Sequence, residues 1–327
     1  MCRVLNRRKI ALSNDITVAV TSRSFSRNDV LKEELLSRYG SVKFNDEGLK
    51  LTGNTLLEFL KGCDKAIVGL EKFNRELFVK LPKLKVLSRF GVGLDGMDFK
   101  AMLDHGVSLG WMPGVNCLSV AELTLSFMLS LVRNSFFAAY DLKQGHWKKS
   151  KGYQLSGKTV GIIGANHVGQ EVIRLLKPFN CRILINDIVD QSEYCQREKV
   201  EQVAFEDLIQ QADIVSLHVP AVKSTVNMIN ESVFKRMKKT AFLINTARGA
   251  VVDQKALKQA LMTNEIAGAA VDVYKEEPEE DSEFLSLPNL ICTPHIAGNA
   301  YEAEVAMGRA AILGLDNAQL PRQFLKA

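Results

Sequence analysis

Residues 159–176 read TVGIIGANHVGQEVIRLL: a β-branched run, a glycine-marked turn and a helical pattern in immediate succession. Further strand-like runs follow at regular intervals, at residues 182–187, 214–219, 241–245, 269–272 and 290–293. Helix-like segments at 168–176, 205–211 and 254–263 separate most of them. Near-continuous apolar strands alternating with helices predict an α/β fold, a parallel sheet covered on both faces. Right-handed crossovers then gather the carboxyl ends of all strands on one edge, where ligands of such sheets bind.

The turn Gly164-Ala165-Asn166-His167-Val168-Gly169 is a Rossmann dinucleotide fingerprint with Asn166 in place of its second glycine. In that pattern the first glycine permits the tight turn and the second lets backbone approach a pyrophosphate. The third lets helix and strand pack closely. The helix amino terminus adds amide donors and positive dipole. Asn tolerates positive φ better than most residues, so the turn is expected to survive, with dinucleotide binding weakened or displaced. Asp187 ends the next strand, where an acid bonds the adenosine ribose hydroxyls. Its charge would repel a 2′-phosphate, so NAD is expected rather than NADP. A degraded fingerprint alone is weak; the strand before it, the helix after it and the acid beyond it strengthen the reading.

Upstream, residues 16 to about 115 alternate short strands and helices, as a smaller α/β unit. Residues 16–21 (ITVAVT) read as a strand, and Ser26 is expected to cap a helix over 27–39 that Gly40 closes. Further apolar runs lie at 66–69 and 85–88. A long helix is predicted over 119–142, with Val120, Leu123, Phe127 and Leu131 at three- and four-residue steps and Leu125, Met128 and Leu129 widening the stripe. A helix so apolar is buried, in a core or in a subunit interface. Residues 1–15 carry Arg3, Arg7, Arg8 and Lys9 with no apolar signal core, and read as an N-terminal extension.

Composition narrows the function classes. A chain of 327 residues suits two domains. No apolar run approaches the ~18–20 residues of a membrane span, so no membrane partner is expected. The charge of +5 is interspersed with acids rather than gathered in a basic stripe, which argues against nucleic acid. Six scattered cysteines with no CxxC pair point to a reducing, cytoplasmic setting and to no metal site.

The notable polar residues follow strand ends. His218-Val219-Pro220 closes one strand and Asn245-Thr246-Ala247-Arg248-Gly249 another; Asp272 closes the next, with Glu277 close behind, and Thr293-Pro294-His295 closes the last. Singly, Arg248 reads as a surface ion pair, Glu277 as one charge of the acidic run 276–281 and His295 as a satisfied polar residue. Jointly they point to chemistry. NTARG, DVYKEEP (272–278) and TPHIAG (293–298) resemble motifs of the D-2-hydroxyacid dehydrogenase family. RFGVGLDGMD (89–98) and SVAELT (119–124) are similar to its earlier motifs, so the likeness covers nearly the whole chain after residue 15.

The resemblance implies two doubly wound parallel-sheet domains. A Rossmann NAD-binding domain, residues 116–296, would be inserted into a flavodoxin-like substrate domain of residues 16–115 and 297–327, with the active site in a cleft that closes by hinge motion. It implies hydride transfer between NAD and C2 of a small anionic D-2-hydroxy or 2-keto acid. Arg248 would bind the substrate carboxylate and polarise the carbonyl, as a planar guanidinium can. His295 would donate and accept the proton, with Glu277 favouring its charged imidazolium near neutral pH. The amides of Gly91, Val92 and Gly93 would hold the carboxylate. Asp272 would bond the nicotinamide carboxamide, and His218, Val219, Pro220, Thr225, Thr246, Ala247 and Gly298 would line the cofactor. The 119–142 helix would form a homodimer.

The substrate leaning is a short-form phosphoglycerate dehydrogenase, because the chain runs only about 30 residues past His295, too few for a further domain. Arg23, Arg89 and Lys148–Lys149 are the candidate phosphate cations. Glyoxylate or hydroxypyruvate reduction is the alternative. A different class, an NAD(H)-sensing corepressor-like scaffold, keeps the same Arg, Glu and His and would turn over poorly. Glu277 argues against formate dehydrogenases, whose histidine pairs with a glutamine.

Overall fold

Alternate residues along the inner strands enter different cores, which is how a parallel sheet buries both faces. Val160, Ile162 and Ile185 join one apolar cluster while Leu184, Val215 and Leu217 join another. The computed structural model describes residues 13–325. They divide into two units, Cys117–Ala300 and the remainder on either side of it.

The first unit holds β1 (Ser13–Val20), β2 (Tyr39–Phe44), β3 (Lys65–Val68), β4 (Val86–Arg89) and β5 (Ser108–Gly110) in the order β2-β1-β3-β4-β5. All four pairings are parallel, the flavodoxin-like order expected. A helix at Tyr301–Asn317 returns to cover β4 and β5. It lies so close that a Cβ on Gly110 would fall 2.3 Å from the Gly314 carbonyl oxygen. Beyond it Gln319 pairs antiparallel with Leu109, covering the β5 edge.

The second unit holds β6 (Thr159–Ile163), β7 (Arg182–Asn186), β8 (Glu201–Gln202), β9 (Ile214–Leu217), β10 (Phe242–Asn245), β11 (Gly268–Val271) and β12 (Leu290–Cys292). Their order is β12-β11-β10-β9-β6-β7-β8, again parallel throughout. This is the doubly wound dinucleotide-binding order with one further strand, and the order of strand addition switches sides between β6 and β9.

Two local expectations are corrected. The helix over 27–39 is two helices, Arg23–Arg27 and Asp29–Leu36. Ser22, not Ser26, caps the first, and Asn28 caps the second by accepting from the Leu31 amide. Ser26 is buried and accepts from the Asn45 amide, and Gly40 lies inside β2 rather than closing a helix. The helix over 119–142 is likewise Cys117–Val132 and Ser135–Lys143, bent by 70°. Asn134, at φ 55°, makes the break, a conformation Asn adopts at low cost. The first of these helices buries Val120, Thr124, Phe127, Met128 and Leu131, whereas the second buries none of its residues. Among the described residues, no single helix is long and apolar enough to cross a membrane.

Candidate active site

The fingerprint turn is built by close approach. Gly164 has φ 91°, and a Cβ there would lie 2.9 Å from the His218 carbonyl, so the ends of β6 and β9 touch through this glycine. A Cβ on Gly169 would fall 2.1 Å from the Gly164 oxygen, which is the tight helix–strand packing expected of the third glycine. Asn166 corrects its expectation. It sits extended at φ −103° and caps the helix His167–Leu176, its side chain accepting from the His167 amide at 2.9 Å. No positive φ is needed there. Asp187 accepts from the Ala165 amide at 2.8 Å and the Val189 amide at 3.0 Å, so its carboxylate both braces the turn and puts negative charge at the end of β7.

These features fit a bound dinucleotide. The turn has the glycines that close approach requires, and the Val168 and Gly169 amides open the helix, where no intrahelical acceptor exists. The carboxylate at the ribose position fits NAD rather than NADP.

Along the same edge, the end of β9 presents His218, whose Nε2 lies 2.9 Å from Ser216 Oγ. Burial pushes its imidazole down to about 3, so the ring is neutral at physiological pH. Thr225 folds the following loop, taking the Val222 amide and donating to the Pro220 carbonyl; Val219 is half-buried and Pro220 exposed. Thr246 is buried and its hydroxyl is spent on Thr124 at 2.9 Å.

After β10, Asn245 Oδ1 accepts from the Ala247 amide while its Nδ2 donates to the Arg248 carbonyl, shaping the turn that carries half-buried Arg248. Sequence reasoning gave Asn245 no role, although an Asn at a strand end is a standard turn former. A Cβ on Gly249 would fall 1.9 Å from the Tyr274 carbonyl carbon. The arginine's turn therefore lies directly on the backbone that follows β11. There the Tyr274 amide donates to Glu277 Oε1 at 3.1 Å, and Glu277 Oε2 meets His295 Nδ1 at 2.8 Å. Arg248, Glu277 and His295 are thus tied through successive contacts along one edge.

Asp272 has an occupation that the resemblance does not imply. It is fully buried. Oδ1 accepts from the Thr293 hydroxyl at 2.5 Å and the Ile296 amide at 2.8 Å, and Oδ2 from the Ala297 amide at 2.8 Å. Its bonds brace the turn that holds His295 at φ 55°. Ser119 closes the far side, donating to the Ala297 carbonyl at 2.6 Å and accepting from the Ala300 amide. Gly298, half-buried, lies in that same turn.

In the first unit, Gly91, Val92 and Gly93 form the loop after β4, all half-buried, with Gly91 at φ 128°. The nearby Arg89 is buried.

The chain is similar to several known proteins. The model of the D-isomer specific 2-hydroxyacid dehydrogenase NAD binding domain matches residues 125–297. D-3-phosphoglycerate dehydrogenase of Methanocaldococcus jannaschii is 38% identical over 284 residues, 86% of this chain but only 54% of that protein, so the chain spans about half its length. Glyoxylate reductase of Thermococcus litoralis is 38% identical over 263 residues, 77% of this chain and 79% of that one. The D-lactate dehydrogenase structure from Escherichia coli superposes with a TM-score of 0.80 at 25% identity, covering 92% of this chain and 96% of that one. The chain belongs to the D-isomer specific 2-hydroxyacid dehydrogenase family, NAD-dependent enzymes acting on a CH–OH group.

Proposed function

We propose that this chain interconverts a compact two- or three-carbon 2-keto acid and its D-2-hydroxy acid, with Arg248, Glu277 and His295 as the reacting groups. The 2.8 Å contact between His295 and Glu277 carries the reading. A carboxylate on Nδ1 orients the ring and leaves Nε2 for the substrate oxygen. As imidazolium, His295 donates its proton to the carbonyl oxygen during reduction; in oxidation it takes the hydroxyl proton. Arg248 offers its planar fork to the substrate carboxylate, and the Gly91–Val92–Gly93 amides of the first unit are proposed as further carboxylate donors. Bound NADH supplies the hydride. Gly164, Asn166, His167, Val168 and Gly169 would hold its pyrophosphate and Asp187 its adenosine ribose.

Charge supports a compact acid. A cavity of about 170 Å³ is bordered by Gly93, and there Lys72 and Arg89 are matched by Glu71 and Asp95. A phosphate calls for surplus positive charge. Arg23 lines a different cavity, of about 710 Å³, with Arg27 and Glu304, and Lys148 and Lys149 are exposed. Glyoxylate and hydroxypyruvate are therefore favoured. Phosphohydroxypyruvate is the second reading, favoured by the 38% identical phosphoglycerate dehydrogenase.

NADH oxidation with glyoxylate, hydroxypyruvate, phosphohydroxypyruvate, pyruvate and oxaloacetate tests both. The highest kcat/KM is expected on glyoxylate or hydroxypyruvate; a preference for phosphohydroxypyruvate overturns the substrate. Failure on all of them overturns the enzyme reading in favour of an NAD(H)-sensing scaffold. The helix Ser135–Lys143 exposes Phe136, Tyr140 and Leu142, which supports a homodimer across this face, checked by light scattering. The five described cysteines remain thiols, which suits the cytoplasm.

A further inference from the structure

The loop after β4 has an arrangement that its glycines alone do not explain. Among the described residues, the backbone N–H groups of Gly91, Val92, Gly93 and Leu94 donate to no protein acceptor. Buried or half-buried amides are rarely left so, and a run of them suits an anion. A side chain from the neighbouring strand grips this loop. Trp111, directly after β5, donates its indole Nε1–H to the Val92 carbonyl at 2.9 Å.

The consequence follows from peptide geometry. The Val92–Gly93 bond is trans, so its carbonyl and N–H point in opposite directions. With the carbonyl turned to Trp111, the Gly93 N–H is turned away from it. The indole is itself wedged. Phe324 meets it edge-on at 5.4 Å and stacks on Phe99 at 4.7 Å. Phe324 is delivered there by the segment whose Gln319 exchanges both backbone hydrogen bonds with Leu109, at 2.8 and 3.1 Å.

We infer that Trp111 is a positioning residue for the substrate carboxylate: its indole N–H fixes the Val92–Gly93 peptide so that the Gly93 amide is presented to the anion. The inference rests on the proposed role of the 91–93 loop. Phe324 acts one step further back, by holding the indole in place.

The central test is Trp111→Phe, which keeps an aromatic ring against Phe324 and removes the donor together with part of the ring. KM for the keto acid, and Ki for oxamate as a non-reacting carboxylate, should both rise by about two- to twelvefold, the worth of one neutral hydrogen bond. The kcat, the KM for NADH and the Tm should stay close to wild type. Phe324→Ala should move KM and Ki in the same direction. Unchanged KM and Ki in Trp111→Phe, or an equal rise in the KM for NADH, would overturn the inference.

A second arm does not depend on turnover. The sequence has two tryptophans, and Trp147 is 80% exposed, so Trp147→Phe leaves Trp111 as the single indole. Oxamate added to the NADH complex should change its emission saturably, and absence of any saturable change counts against the positioning role. A chain that reduces no keto acid yet gives this response would sink the proposed activity while leaving the loop assignment standing.

Discussion

Asp272→Asn decides between two jobs for one buried carboxylate. By family likeness the residue would contact the nicotinamide carboxamide; by its surroundings it staples the His295 turn. Both oxygens accept hydrogen bonds, three in all, with the residue fully buried. Asparagine keeps one acceptor and turns the other into a donor. Its better orientation keeps the oxygen on Thr293 and Ile296 and sets the amide against the Ala297 N–H.

One bond to a charged group is then lost, at about 1.5–3 kcal/mol, and two weaken by about 1 kcal/mol each. The total is about 3.5–5 kcal/mol. His295 at φ 55° stands roughly 1–2 kcal/mol above an ordinary backbone conformation, so a staple weakened by that amount lets the turn relax. Urea unfolding should report the stability loss. Turnover at saturating NADH should fall on the order of 100-fold, as a misplacement of about 1 Å can cause. NADH affinity, by fluorescence titration, should stay within about threefold. Thr293→Val should act in the same direction and less. A tenfold loss of NADH affinity with turnover preserved would refute this reasoning and restore the carboxamide contact.

His295→Ala and Arg248→Ala should each lower keto-acid turnover by at least ~100-fold, with Glu277→Gln falling less; steady-state kinetics would expose a wrong assignment if either alanine variant kept near-normal rates. Asp187→Ala should raise kcat/KM with NADPH by about tenfold, because the charge opposing a 2′-phosphate is gone; an unchanged NADH preference in kinetics with both cofactors would show that discrimination lies elsewhere. His218 titrates near 6.5 when unfolded and is pushed down to about 3 in the fold. The unfolded chain therefore binds the extra proton below pH 6.5, and folded stability falls as pH drops through that window, by up to about 1.4 kcal/mol per pH unit. His218→Asn should flatten that dependence in urea titrations at pH 4 to 7, and an unaltered slope would mean the ring is not neutral in the fold.

The larger unit was legible because its strands are apolar throughout and its helices periodic. The segment 205–211 is a helix over the predicted residues, and 254–263 differs by one. β2 was missed because YGSVKF carries a glycine and a lysine and reads as a helix end; only pairing with β1 makes it a strand. The break at Asn134 has no proline or glycine to announce it. At the site, Glu277 and His295 could be paired from motifs alone, whereas the bracing by Asp272 could not. A carboxylate spent on three backbone and hydroxyl donors looks, in sequence, like one free to bind a ligand. Trp111 was invisible for a related reason: its donor reaches a carbonyl 19 residues away, across two strands.

The helix Tyr301–Asn317 and the pairing of Leu109 with Gln319 bear on how the molecule is made. A ribosome delivers Cys117–Ala300 as one uninterrupted stretch, able to assemble its seven strands as soon as they emerge. The five-stranded sheet must instead wait, with β4 and β5 uncovered, until nearly 200 further residues have been added. Half-made chains therefore expose an apolar sheet face and an open edge for many seconds of synthesis, which makes the smaller unit the one that most needs shielding by a chaperone.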